Sequence, residues 1–131
     1  MATQESMEIA ELRKLYSALF KAPANTFPKV GEPLMVTTAQ GVYVIFSPKG
    51  LTLHVGRTLR GKRGLAQRLN NHLHGQSSFT LRYMDGKGAK LRRGYCFKFI
   101  PVRKARTRAL LEAYATAHLC PKHLGLGKER A

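Results

Sequence analysis

The sequence predicts an α/β fold, a small mixed three-stranded β-sheet of antiparallel type flanked by helices in the order αββαβα. Three observations predict it. Runs rich in β-branched and aromatic residues lie at 41–46 (GVYVIF), 51–56 (LTLHVG) and 94–102 (GYCFKFIPV). Stretches with apolar residues at helical spacing lie at 4–20, 65–74 and 103–119. No internal repeat interrupts this order, and 131 residues with 44% hydrophobic content are enough for one compact domain with its own core.

In the first helix Met7, Ile9, Leu12, Leu15, Tyr16 and Leu19 recur at helical spacing, with acids early and Arg13, Lys14 and Lys21 late, as the helix dipole prefers. Pro23, Asn25 and Pro28 then break the pattern. Residues 1–30 therefore read as an N-terminal helix and linker packed on a single domain of residues 31–131. Segments 41–46 and 51–56 flank Ser47-Pro48-Lys49-Gly50, a tight turn, and so form a hairpin. The basic run Arg57–Arg63 leads to the second helix, where Leu65, Leu69, His72 and Leu73 share a stripe and Arg68 precedes His72 by one turn. Residues 75–93 are polar, basic and Gly-rich, and read as a loop or ragged hairpin before the strand at 94–102. The last helix offers Ala109, Leu110, Ala113, Tyr114, Ala117 and Leu119 as its apolar face; Pro121 stops it, and Gly125 and Gly127 mark a loose tail.

Charge narrows the function. The 23 Lys and Arg against 7 Asp and Glu give +16, and residues 56–131 hold all but +1 of it. A folded domain with this much self-repulsion points to a polyanionic partner: nucleic acid first, an anionic membrane surface second. Acidic small molecules would not require so much charge. The two cysteines, Cys96 and Cys120, make no secreted disulfide framework. No apolar run is long enough to span a bilayer, and the acidic N-terminus MATQESMEIAEL is unlike a signal peptide. The expected place is a reducing interior, cytoplasmic or at the nucleoid or nucleus, not secreted.

The few acids constrain any chemistry. A hard divalent cation needs an oxygen ligand, normally a carboxylate, and beyond residue 33 the chain offers only Asp85, Glu112 and Glu129. Asp85 sits in a Met-Asp-Gly turn and Glu129 in the tail. Glu112 lies mid-helix beside Leu110 and Leu111, where it either pairs with Arg108 or another arginine, or holds a metal. Arg68 has the fork suited to a phosphate gathering charge, and His72 has the pKa range for proton transfer; both are equally at home as ordinary surface or core residues. His118-x-Cys120-x-x-His123, completed by Cys96 or His74, is a weak zinc pattern whose spacing matches no firm motif.

Taken together, these segments resemble the GIY-YIG nucleases. Gly41-Val42-Tyr43 followed by His54-Val55-Gly56 is similar to the family's paired strand motif, with His54 where the family usually has Tyr. Leu65-Ala66-Gln67-Arg68-Leu69-Asn70-Asn71-His72 fits its helix pattern, after a slightly longer gap in which Leu59–Arg63 is the insertion. Leu111-Glu112 and Pro121 fit the next element; Leu124 stands where the family commonly has Asn, with His123 beside it as a possible substitute. The resemblance covers about residues 40–124 and agrees with the αββαβα order.

The resemblance implies a metal-dependent endonuclease that hydrolyses DNA phosphodiesters by a one-metal mechanism. Glu112 would hold a single Mg²⁺ or Mn²⁺, Tyr43 would position or activate water, and Arg68 would stabilise charge on phosphorus. His54 would be a base suited to neutral pH, and His72 would assist proton transfer or bind phosphate. A strand aromatic in the core is the alternative for Tyr43. The flexible basic segments beside this site supply candidates for phosphate-backbone binding: Arg57, Arg60, Lys62 and Arg63, then Arg82, Lys87, Lys90, Arg92 and Arg93. Phe79 and Tyr83 are candidates for stacking on bases. DNA is the expected partner, with RNA open, no membrane, and a monomer or homodimer. The competing expectation is an inactive nucleic-acid-binding module that retains the fold, motivated by His54 and Leu124.

Overall fold

A computed structural model of the chain describes residues 4–126, with side chains from Met7 onward. Gly127 and Glu129 lie outside the described residues. Its elements are α1 (Gln4–Lys21), β1 (Asn25–Thr26), β2 (Gly41–Phe46), β3 (Thr52–Arg57), α2 (Gly64–Leu73), α3 (Ser78–Tyr83), a short 3₁₀ helix (Gly88–Arg92), β4 (Cys96–Pro101) and α4 (Ala105–Leu119). The sheet is antiparallel throughout, in the order β1-β4-β2-β3. It has four strands where three were expected, because the two residues of β1 pair with Phe97 and Cys96 at the β4 edge. A strand this short between Pro23 and Pro28 leaves no periodicity to detect.

β2 is central, which explains why GVYVIF is apolar without alternation: both of its faces are covered. Val42 and Val44 join Leu12, Leu19, Val55, Val102, Leu111 and Ala115 under α1 and α4. Tyr43 and Ile45 join Leu65, Leu69, Leu73, Phe79, Leu91 and Phe97 on the opposite face, under α2 and α3. The molecule thus has three layers, helices on both faces of one sheet. Gly41 opens β2 where a Cβ would run into the Ile100 carbonyl of β4, so the two strands approach as closely as they do only with glycine there.

Three expectations need correction. Residues 75–93 are not a loop or hairpin; they form α3 and the 3₁₀ helix, nucleated by a capping box in which Ser77 accepts from the Thr80 amide and Thr80 accepts from the Ser77 amide. The buried stripe of α4 is Arg108, Leu111 and Ala115, whereas Ala113 and Ala117 face solvent. In α1, Leu12 and Leu19 are buried but Met7 and Ile9 are exposed. The segment before residue 31 also feeds the core directly, since Phe27 packs on Phe97 at 4.8 Å.

Candidate active site

The hairpin sets the site's floor. Tyr43 on β2 lies opposite Gly56 on β3, and a Cβ at Gly56 would overlap the Tyr43 hydroxyl and ring. The tyrosine therefore lies flat across its neighbouring strand, fully buried, and points toward α2. There its hydroxyl oxygen is 2.7 Å from His72 Nε2, and His72 Nδ1 is 2.6 Å from Ser77 Oγ. His72 is fully buried, as the apolar stripe of α2 requires.

Above this floor a cleft of about 360 Å³ is lined by Gln40, Arg57, Thr58, Leu59, Arg60, Gly61, Gly64, Gln67, Arg68, Asn71 and Glu112. Arg68 enters it from α2 and Glu112 from α4. Arg57, at the end of β3, donates through Nη1 to Glu112 Oε1 at 2.8 Å. The partner of Glu112 is thus Arg57 and not Arg108. Arg108 is buried and serves another purpose: it donates to the carbonyls of Thr58, Leu59, Val102 and Arg103 at 2.7–3.1 Å, tying the cleft's 58–59 wall to the start of α4. The backbone of that wall would otherwise be unpaired, and four carbonyls take the place of an acid in satisfying the guanidinium.

Burial controls protonation here. Desolvation pushes the Glu112 carboxyl above its ordinary value, outweighing the opposite pull of Arg57 and Arg68. The Tyr43 phenol is pushed up to about 12 by burial, and the charge of the nearby Arg68 guanidinium holds it down only in part. His72 is driven well below its ordinary range by burial, reinforced by His54 and Arg68. His54 is pushed down to about 3 by burial, then by His123 and Arg68. The expectation that His54 titrates near neutrality, as a base suited to pH 7, is therefore corrected: its ring is neutral there and weakly basic.

His54 stacks on Phe79 with centroids 4.9 Å apart and lies 5.2 Å from the His72 ring. Phe79 is fully buried, so it is no base-stacking platform; Tyr83 stacks on it from the exposed side. After Pro121 the chain runs back along β3, with the Lys122 and His123 amides donating to the Thr52 and Leu53 carbonyls. This brings His123 Nδ1 to 3.3 Å from His54 Nδ1, while Leu124 is 47% exposed. His118 instead stacks on Tyr114, away from His123, and among the described residues no group of three or more His, Cys, Asp or Glu is arranged to hold a metal.

Of the five residues expected to carry chemistry, Arg68 and Glu112 line the cleft, Tyr43 and His72 lie beneath it, and His54 borders the buried pair. Of the basic candidates, Arg57 and Arg60 line the cleft and Lys62 and Arg63 are exposed on the same loop. Lys87, Lys90, Arg92 and Arg93 line a second concavity of about 590 Å³ together with Lys29. Arg82 is exposed on α3; burial first, and then the Arg82 charge, holds the His123 ring below its ordinary range. The sequence reading missed Ser77, Thr80 and the buried role of Arg108. The first two carried a signal, Ser77 three residues before a hydrogen-bonding side chain, while a buried Arg looks like any other in a basic helix.

A one-carboxylate site suits a Mg²⁺-like ion, which keeps several waters and takes one or two carboxylates together with substrate phosphate oxygens. Glu112 fits that demand: it is a half-buried carboxylate facing an open cleft, and its Oε2 lies outside the bond to Arg57.

No protein-family model and no curated protein matches the sequence. Among solved structures, the chain is similar to the GIY-YIG N-terminal endonuclease domain of UvrC from Thermotoga maritima bound to magnesium, at 24% identity and a TM-score of 0.46, covering 86% of this chain and 93% of that one. It is similar at 25% identity, with the same TM-score, to a point mutant of that domain bound to its catalytic divalent cation, covering 86% of this chain and 92% of that one.

Proposed function

We propose that the chain is a divalent-metal-dependent endonuclease that hydrolyses phosphodiester bonds in DNA, with its chemistry in residues 31–131 and its place inside the cell. The observation that carries this is the meeting of Arg57, Arg68 and Glu112 in one open cleft directly above the buried Tyr43–His72 pair. These residues come from β3, α2, α4 and β2, far apart in sequence, and a fold without such chemistry has no need to gather them.

Glu112 would hold Mg²⁺ or Mn²⁺, which supplies a polarised phosphoryl oxygen and a more acidic bound water. Arg68 directs its guanidinium at the phosphate and stabilises the charge that grows there. Arg57 answers the Glu112 carboxylate in the free protein and, once phosphate enters, is placed to turn toward it. Tyr43 and His72 act from below as a neutral pair that holds its geometry without changing charge. His54 is part of the supporting wall with Phe79 and His123. Phosphate-backbone affinity comes from Arg57, Arg60, Lys62 and Arg63 at the cleft and from Lys87, Lys90, Arg92 and Arg93 at the second concavity.

The test is cleavage of single-stranded, duplex and branched DNA, and of RNA, with metals varied. Metal-dependent cleavage that is lost in Glu112→Gln, with binding retained, supports the assignment; undiminished activity of that variant sinks it. The inactive binding module is favoured by one observation, the Arg57–Glu112 ion pair occupying the proposed metal ligand. Binding without cleavage under every metal would select it.

A further inference from the structure

The hydrogen bonds under the cleft form a chain whose direction is fixed at one end. Tyr43 Oη meets His72 Nε2 at 2.7 Å, His72 Nδ1 meets Ser77 Oγ at 2.6 Å, and Ser77 Oγ meets Thr80 Oγ1 at 2.9 Å. Thr80 Oγ1 then donates to the Ser77 carbonyl at 3.1 Å. A carbonyl has no proton, so the threonine hydroxyl must be the donor in that last bond. Its proton is then spent, and the Ser77 hydroxyl must donate to Thr80. Ser77 has no second proton, so His72 must donate to it from Nδ1. With one ring proton placed on Nδ1, Nε2 is a lone pair and Tyr43 must donate to it. Four contacts use four protons, and only one assignment serves them all.

The acceptor side closes as well. Ser77 Oγ also accepts the Thr80 amide, and Thr80 Oγ1 also accepts the Ser77 amide, so both hydroxyl oxygens are filled. All four residues are buried, where an unmade hydrogen bond is costly. On the cleft side stands Arg68, one turn before His72 on α2, whose charge acts on Tyr43 and whose guanidinium only donates. A phenol whose proton is turned inward offers it a lone pair; a phenol whose proton is turned outward would confront donor with donor.

We propose that Ser77 and Thr80 are positioning residues that lock His72 as its Nδ1–H tautomer, so that Tyr43 donates inward and presents its oxygen as an acceptor that orients Arg68 in the cleft. The consequence for activity rests on the endonuclease reading; the tautomer does not. The capping box that starts α3 thereby does a second job, setting hydrogen-bond polarity two residues away from the cleft.

The test reads the His72 ring nitrogens of the full isotope-labelled chain by long-range proton–nitrogen NMR. The expected result is protonated Nδ1 and bare Nε2 in the wild type. In Ser77→Ala the ring shifts toward the Nε2–H form, and Ser77→Thr, which keeps the hydroxyl, restores the original tautomer. A wild-type ring protonated on Nε2 overturns the proposal, as does a Ser77→Ala ring that keeps its tautomer. Should Ser77→Ala not fold, the wild-type spectrum and Thr80→Val decide the same question: without the Thr80 hydroxyl to receive it, the Ser77 proton is free to turn to Nδ1 and the ring should move toward the Nε2–H form, and a Thr80→Val ring that keeps Nδ1–H overturns the proposal. In cleavage assays, Ser77→Ala lowers kcat by about 10-fold with KM little changed, the size expected for loss of an outer hydrogen-bond partner, and Ser77→Thr recovers it. A switched tautomer with unchanged kcat overturns the link to Arg68. Absence of cleavage by the wild type removes the endonuclease reading and leaves the tautomer decided by the spectra alone.

Discussion

His54 and His72 remain neutral far below pH 7 because taking up a proton would place a charge in a desolvated wall of aromatic rings beside Arg68. That has a sign for stability. The unfolded histidines bind protons below their ordinary value of 6.5, while the folded ones do not until about pH 3 for His54 and well below 6.5 for His72. The unfolded state thus binds more protons across this window, so stability present above pH 6.5 is lost as pH falls. Each histidine contributes a slope of up to about 1.4 kcal/mol per pH unit, and urea titrations between about pH 7 and pH 4 should show it. Glu112, whose pKa is raised, works in the opposite direction at the acid end. His54→Phe keeps the stack on Phe79 and removes the ionisation, so its stability should vary less with pH; an unchanged slope would contradict the burial argument. Gly56 makes a second prediction at this scale. Gly56→Ala forces a methyl into the Tyr43 ring and should cost about 1–3 kcal/mol in urea unfolding, with Tyr43 displaced from His72.

Among the elements, those that sequence pattern could define are the ones with a long periodic run and an unshared face. The strands at 41–46 and 51–56 and the helices at 4–20 and 65–74 fall within a residue or two of β2, β3, α1 and α2, since burial repeats along each. With them came Arg68 and Glu112, legible because their motif spacing survives in order. What was not legible depended on tertiary partners. β1 exists only because β4 offers an edge, and α3 is a six-residue helix started by a side-chain cap rather than by a stripe. The α4 face was misassigned because Arg108, a charged residue, occupies the buried position next to Leu111 in the stripe. That same arginine makes the element-scale prediction. Arg108→Met keeps the buried stem and strands the carbonyls of Thr58, Leu59, Val102 and Arg103. Loss of a charged donor to several buried acceptors should cost on the order of 3 kcal/mol. Amide exchange in the 58–61 wall of the cleft should accelerate with it. Arg108→Lys should not recover the wild-type stability, because an ammonium cannot span four carbonyls with a planar fork. Full stability in the Met variant would show that water satisfies the wall instead.

Over the whole molecule, two concave surfaces each gather part of the +16 charge. The cleft holds Arg57, Arg60 and Arg68 with one acid, Glu112, whereas the second concavity holds Lys29, Lys87, Lys90, Arg92 and Arg93 with none. Arg92 is fixed there by donating to the Pro28 and Lys29 carbonyls, which joins the segment before β2 to the one before β4. A polyanion touching both surfaces releases counterions from both, so its affinity should fall steeply with salt. The contribution of the second surface can be separated by exchanging Lys87 and Lys90, two exposed residues, for Gln. If each meets a backbone phosphate, the slope of log K against log salt should fall by about 2 in magnitude, with similar effect on every sequence. Because neither lysine lines the cleft, turnover at saturating DNA should stay at the wild-type rate while the concentration needed to reach it rises. A slope that stays unchanged would confine the nucleic-acid footprint to the cleft and its 57–63 loop. A fall in the saturated rate would mean instead that the second surface bends or aligns the substrate for Arg68 and Glu112, and the two surfaces would then act as one.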